Sequence, residues 1–345
     1  MQIKNYINQV QRSKILNFSR YKKIRLDKNE KIDKFSKSFL KNIRTKINSD
    51  LLTAYPEVGP LIKLIAKKNN IKKENILLTA GIDNALRTII EAYTNKKDKV
   101  LILHPTFAMT SIYCKLANLN IIKIGYDKNL NLNFIKLLKS INKKLKLIIL
   151  SNPNSPSGTV ISQKNLIEII KKAKKFKIPI VIDEAYFGFC KMTALNFIKK
   201  YKNLIITRTF SKIFGLAGLR VGFVASNEKN IKYLSKLKPM YEINAVAVEA
   251  AKLILTRNDL VKKYITETNE TKKKLIKILR AKDLDYYESH ANFLLVNLKK
   301  YKSKILNYSK KNNILISNRT PFKNYLRITL GPISYFKKII NLLQN

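Results

Sequence analysis

The chain has 345 residues, 46% of them apolar and 26% charged, which is enough to bury a large core and to divide into two domains. It has no run of about eighteen apolar residues that would cross a membrane, and no apolar segment behind the amino-terminal charges that would make a secretory signal. The formal net charge of +47 invites a nucleic-acid partner, but the positive residues are spread along the whole sequence instead of forming one block or arm.

Arginine supplies only 11 of the 69 basic residues, and Lys, Ile and Asn are over-used together, which is what A- and T-rich codons produce. Nucleic acid is therefore not expected as the main partner. Because lysine is the default cation, a position that keeps arginine is one where the planar fork matters, which singles out Arg220 and Arg327. The two cysteines, Cys114 and Cys190, lie far apart without metal-ligand spacing and read as reduced thiols in a cytoplasm. With His104 and His290 as the only histidines, a histidine triad or histidine metal site has little to draw on, and no metal is expected.

Residues 1–45 are polar and lysine-rich, with a short amphipathic stretch at Phe35–Ile43, and read as an arm that packs on the small domain or on a partner subunit. Tyr55-Pro56 and Gly59-Pro60 signal a turn before an apolar-periodic helix at Leu61–Ala66. From Ile76 to Ser226, short apolar runs alternate with helix-length segments such as Asp83–Tyr93 and Ser162–Lys175. The predicted strands are Leu101–His104, Ile121–Ile124, Leu147–Leu150, Ile178–Asp183, Leu204–Thr207 and Val221–Ala225. This is the pattern of an α/β domain with a mostly parallel sheet covered on both faces, assigned to residues 46–235. Ligands of such sheets gather at the carboxyl ends of the strands. Residues 236–345 change character: helices at Val246–Leu255 and Leu260–Leu279, strands at Phe293–Leu298, Ile314–Ser317 and Tyr325–Leu330, and a closing helix at Ser334–Leu343 form a smaller α+β domain.

Five segments carry candidate chemistry. In Leu77–Ile90 the backbone amides of Gly81, Ile82 and Asp83 open a helix where an anion can bind, although Asp83 serves equally as a simple helix cap. Phe107 stands just past a strand, where it either stacks on a planar ligand or belongs to the core. The loop Ser151–Thr159, rigid with two prolines and a glycine, either offers polar groups to a ring or is an ordinary strand-to-helix turn. Asp183 ends an apolar strand, where a carboxylate needs a partner; beside a pyridine nitrogen it would keep that nitrogen protonated, and Tyr186 lies within reach of the same ring. Finally, Thr207–Phe223 places Lys212 after Thr209 and Ser211 and before Arg220, a lysine with hydroxyls and a fork suited to a phosphate. The same stretch also reads as a glycine-rich turn with a surface lysine. No GxxxxGK[ST] or GxGxxG falls at a strand-to-helix junction, which disfavours nucleotide-binding readings.

In order and content, RLDKNE, YPE, TAGIDNA, HPTFAM, NPNSPSGT, VIDEAYFGF, TRTFSKIFGLAGLRVGF, ANFLLV and YLRITLG resemble the pyridoxal-phosphate aminotransferases of fold type I, and among them the histidinol-phosphate aminotransferase group. The resemblance implies pyridoxal 5'-phosphate as cofactor, with Lys212 as its covalent anchor and proton shuttle, Asp183 at the ring nitrogen, Tyr186 at the phenolic oxygen and Phe107 stacked on the ring. It implies a phosphate site made of Gly81, Ile82, Asp83, Thr209, Ser211 and Arg220, and Tyr55 reaching the neighbouring site of a homodimer. Arg327 matches the residue that grips the substrate carboxylate.

The family's NNPTG loop is NSPSG here, so that Ser155 stands where an asparagine usually bonds the cofactor, with Asn154 as the candidate replacement. The NENP motif appears as Asn29-Glu30-Lys31, with Asn29 assigned to the substrate, and Arg319 is the candidate for the further arginine that contacts substrate phosphate in that group. The implied activity is transfer of an amino group between an amino acid such as glutamate and a phosphorylated substrate, in the cytoplasm. The alternatives are a decarboxylase of a phosphorylated hydroxy-amino acid, a transaminase of a small phosphorylated ketone and, more distantly, a nucleic-acid-binding protein on an inactive scaffold.

Overall fold

The computed structural model describes residues 5–8, 10, 18–127, 131–318, 322 and 324–344. Strand β1 (Ile24–Leu26) lies in the amino-terminal segment. Strands β2 (Ile76–Thr79), β3 (Lys99–His104), β4 (Asn120–Gly125), β5 (Leu145–Ser151), β6 (Ile180–Asp183), β7 (Leu204–Thr209) and β8 (Gly222–Ser226) form one seven-stranded sheet in the order β2-β8-β7-β6-β5-β3-β4. Neighbours from β4 through β7 run parallel, while β8 is antiparallel to both β7 and β2. The expected mostly parallel sheet is thus present.

The continuous apolar strands are explained by two covered faces. Ile148, Leu150, Ile180, Ile182, Leu204 and Ile206 point into one core, and the alternating Leu147, Ile149, Val181 and Ile205 into another. The first core receives helices Gly59–Asn69, Gln163–Lys175 and Ala245–Thr256, and the second receives Gly81–Tyr93.

A third core joins the chain's two ends. Leu26 and Ile32 pack with Leu275, Leu294, Leu326 and Phe336, and β1 pairs in parallel with β11 (Ile314–Ile316). Beside them β9 (Tyr286–Tyr287), β10 (Phe293–Asn297) and β12 (Tyr325–Thr329) make a three-stranded antiparallel sheet. The amino-terminal segment also reaches the first core, because Phe39 of the helix Lys37–Arg44 is buried there and stacks on Phe35 with centroids 4.4 Å apart.

The carboxyl end of β6 is fixed by a buried ion pair one residue beyond it. Arg208 of β7 donates to Glu184 Oε2 from Nε at 3.0 Å and Nη2 at 2.8 Å, and to Asn69 Oδ1 at 2.6 Å. Glu184 also accepts from Thr193 and from the Ala194 amide. Removing one partner would strand the other's charge in a dry interior, so Glu184→Ala is expected to cost about 3–5 kcal/mol of unfolding free energy. Urea titration checks this; a loss below about 1 kcal/mol would contradict the assignment of the pair as a structural tie.

Candidate active site

The parallel strands deliver polar residues to one edge of the sheet. Asp183 and Ser151, at the ends of β6 and β5, and Thr207, two residues before the end of β7, are register partners. Asp183 Oδ1 accepts from the Ala185 amide at 3.0 Å and Thr207 Oγ1 at 3.3 Å, and Oδ2 accepts from Ser151 Oγ at 3.4 Å. All three bonds favour the carboxylate, yet burial outweighs them and pushes its pKa up to about 7. No cation is bonded to it among the described residues, so a protonated ring nitrogen would be a matching partner.

The next piece comes from β2 and β8. Gly81 has φ +76°, and Gly222 lies so close that an added Cβ would stand 2.9 Å from both the Arg208 carbonyl oxygen and Gly81 Cα. The helix Gly81–Tyr93 begins at this contact with Ala80, not Asp83, at its cap position. Asp83 sits in the first turn and pairs with Arg220 Nη2 at 3.2 Å, so the reading of Asp83 as the cap is corrected. Arg220, itself at φ +55°, donates from Nη1 to Ser211 Oγ at 3.3 Å. Thr209 Oγ1 receives the Ser211 amide at 3.0 Å. Free helix amides, two hydroxyls and a guanidinium thus converge, which is the donor set that a phosphate requires.

Lys212 stands between this group and the amino-terminal segment. Its Nζ donates to the Lys28 carbonyl at 2.8 Å and lies 5.9 Å from the centre of the Tyr186 ring. Burial, then the Arg327 charge, hold the amine down at about 8. Tyr186 is buried edge-on against Phe293, and its hydroxyl accepts from Asn29 Nδ2 at 2.8 Å. Burial raises its pKa.

Asn29, at φ +57°, also bonds Thr329 through its amide and side-chain oxygen and receives Asn292 Nδ2, so it ties the amino-terminal segment to β12. Arg327 of β12 donates to Ser155 Oγ at 3.1 Å and to the Asp27 carbonyl at 2.6 Å. Its guanidinium carbon is 5.6 Å from the Phe293 ring centre, and its buried Nε has no partner among the described residues.

These residues line one cavity of about 560 Å³, shared by Asn29, Ile82, Asp83, Phe107, Ser155, Asp183, Tyr186, Thr209, Ser211, Lys212, Arg220 and Arg327. Eleven of the residues expected at the site line this cavity; Gly81 lies against Arg220 without lining it, and Asn154, Tyr55 and Arg319 are not among the lining residues. Asn154 does not face the cavity: its amide donates to the Pro105 carbonyl at 2.9 Å, and its oxygen accepts from Thr106 at 2.8 Å. Ser155 faces it instead. Tyr55 is 71% exposed and stacks on Tyr241, centroids 4.0 Å apart, away from this cavity. Arg319 lies outside the described residues. Phe107 lines the cavity and packs against the second core.

Sequence reasoning missed Arg20, Lys28 and Glu30, which also line the cavity. The scarcity of arginine that singled out Arg220 and Arg327 applies equally to Arg20.

A family model for aminotransferases of class I and II matches residues 22–341. The chain is 34% identical over 298 residues to the histidinol-phosphate aminotransferase of Caldanaerobacter subterraneus subsp. tengcongensis, covering 84% of each protein. Among solved structures it resembles the histidinol-phosphate aminotransferase of Clostridium acetobutylicum, with a TM-score of 0.83, 25% identity, and coverage of 93% of this chain and 98% of that one. It shares the fold of the Sinorhizobium meliloti histidinol-phosphate aminotransferase solved in complex with pyridoxal-5'-phosphate, with a TM-score of 0.82, 22% identity, and coverage of 94% and 90%.

The lowered pKa of Lys212 has a direct readout in the cofactor-free protein. As pH rises through about 8 the amine loses its proton, so its modification by an amine-selective reagent should rise with a midpoint near 8. An ordinary lysine would titrate near 10.4. Peptide-resolved labelling against pH measures this, and replacing Arg327 by Leu should move the midpoint upward.

Proposed function

The chain belongs to the aminotransferase class I and II family, whose enzymes use pyridoxal 5'-phosphate, and from that premise we propose that it is a histidinol-phosphate aminotransferase, transferring the amino group of a phosphorylated amine to 2-oxoglutarate to give glutamate and the phosphorylated ketone. The observation that carries this reading is the convergence of Lys212, Asp183, Tyr186 and Arg327 on one cavity beside a phosphate-type donor set.

The residues present fit the cofactor. Ile82, Asp83, Thr209, Ser211 and Arg220 would hold its phosphate, Asp183 its ring nitrogen, Tyr186 its phenolic oxygen and Phe107 a face of the ring. When bound, it supplies an electron sink for the pair left behind as a proton departs from the substrate's Cα. The protein does the rest.

Arg327 holds a substrate carboxylate with its fork, which Ser155 and the Asp27 carbonyl aim and which keeps Nε open. Lys212, uncharged in an appreciable fraction near neutral pH, accepts the Cα proton at Nζ and returns it. Asn29 holds the Tyr186 hydroxyl, so the aromatic side of the site is set by the amino-terminal segment.

The same reading covers the assembly. Tyr55 is solvent-facing with Leu52, Met240 and Tyr241 also exposed, which supports a homodimer in which Tyr55 serves the neighbouring site. It takes residues 46–235 as the cofactor domain, 236–345 as the small domain and 1–45 as the arm. Among the described residues no helix is long and apolar enough to cross a membrane, and a cytoplasmic setting suits the two unpaired buried cysteines.

Purified protein supplied with pyridoxal 5'-phosphate is expected to convert L-histidinol phosphate and 2-oxoglutarate to the corresponding phosphorylated ketone and glutamate. Carbon dioxide release from phosphothreonine without glutamate formation would favour the decarboxylase instead. Lys212→Ala should lower turnover by about 10²- to 10⁴-fold or more. Arg327→Ala should raise the KM for glutamate roughly ten- to hundred-fold, from loss of a charge-assisted bond of about 1.5–3 kcal/mol. A Lys212→Ala enzyme with normal turnover would refute the mechanism.

A further inference from the structure

We propose that Arg20 recognises the distal phosphate of the amine substrate; this rests on the preceding reading that the substrate is phosphorylated. Arg20 lines the same cavity as Lys212 and Arg327. Its two ion pairs both leave from one nitrogen: Nη2 donates to Asp27 Oδ1 at 2.6 Å and to Glu30 Oε1 at 2.7 Å. A guanidinium carries five N–H donors, so three are not used by these two pairs. One of them, on Nε, is shielded from solvent and has no hydrogen-bond partner among the described residues. A shielded donor without a partner is rare in a folded protein and marks a place where a ligand completes the set.

The position relative to Arg327 fits a ligand with two anionic or polar ends. Arg327 Nη2 donates to the backbone oxygen of Asp27 at 2.6 Å, while Arg20 takes the side chain of the same residue. Two forks therefore flank one residue, one carried by β12 and one by the amino-terminal segment. The wall of the cavity adds attraction for anions: Arg20, Lys28, Lys212, Arg220 and Arg327 face it against Glu30, Asp83 and Asp183, five bases to three acids. A lysine would suffice to pair Asp27 and Glu30, and this chain uses lysine for 58 of its 69 basic residues. The fork is what a phosphate monoester adds to the requirement, because it offers parallel donors to two oxygens at once.

The competing role is structural, in which Arg20 only pins the turn that carries Asp27 and Glu30. The two are separated by the ratio of kcat/KM for L-histidinol phosphate to that for L-histidinol, measured for wild type, Arg20→Gln, Arg20→Lys and Asp27→Asn, with thermal midpoints alongside. Phosphate recognition predicts that Arg20→Gln lowers the ratio about ten- to hundred-fold, chiefly through the KM for the phosphorylated amine, from loss of charge-assisted bonds to the phosphate. Arg20→Lys should recover part of it, and should carry the test if the glutamine variant does not fold. Asp27→Asn, which breaks the ion pair from the other side and leaves the fork in place, should keep the ratio. A ratio that survives Arg20→Gln, or one that falls equally in Asp27→Asn, overturns the role of Arg20 and leaves the substrate assignment standing. A wild-type enzyme without preference for the phosphorylated amine overturns both.

Discussion

In the proposed mechanism, the chemistry depends on keeping one amine partly uncharged at neutral pH. Lys212 is shielded by the strand ends beneath it and by the amino-terminal segment above it, and its hydrogen bond goes to a carbonyl, which accepts from neutral amine and ammonium alike. Burial disfavours the ammonium, and the Arg327 guanidinium adds repulsion. Glu30 and Asp183 pull the other way without prevailing. In the proposed mechanism the residue that grips a carboxylate also tunes the base, so substrate binding and proton transfer would share one electrostatic device. A carboxylate that neutralises Arg327 would relax this repulsion at the moment the amine has to take up a proton.

Two adjacent carboxylates show how position decides role. Glu184 faces inward to Arg208, Thr193 and the Ala194 amide, and its charge is spent holding the sheet to the helix Gly59–Asn69. Asp183 faces the cavity with only hydroxyls and an amide for partners, and burial pushes it up to about 7. The alternation of a strand end sends one side chain to each face. In the proposed mechanism a cationic ring nitrogen beside Asp183 would restore its charge.

Much of this was legible in the sequence because the sheet is buried on both faces, which writes its strands as unbroken Ile, Leu and Val runs with polar residues at their carboxyl ends. Asp183 and Lys212, which follow such runs, were readable for that reason, and Arg220 stood out because arginine is scarce. What could not be read was orientation within the proline-rich loop. Asn154 and Ser155 are neighbours with similar donor chemistry, and only the folded loop shows that Asn154 is consumed by Pro105 and Thr106 while Ser155 meets Arg327. The amino-terminal segment was equally opaque. β1 is three residues long, and its pairing with β11 spans nearly the whole sequence, so no local periodicity announces it.

That long-range pairing has a functional consequence. The backbone oxygens of Asp27 and Lys28 receive Arg327 and Lys212, and the next residue, Asn29, bonds Tyr186, Thr329 and Asn292. Three consecutive residues therefore touch the Lys212 amine, the Tyr186 hydroxyl and the Arg327 guanidinium, which come from three different parts of the chain. Backbone carbonyls place these groups without adding formal charge to a cavity that already holds several, and the left-handed conformation of Asn29 turns its side chain and its amide toward separate partners. The segment least interpretable from composition is thus the one that sets the mutual geometry of the site, because it is the only stretch of the described residues bonded to all three groups.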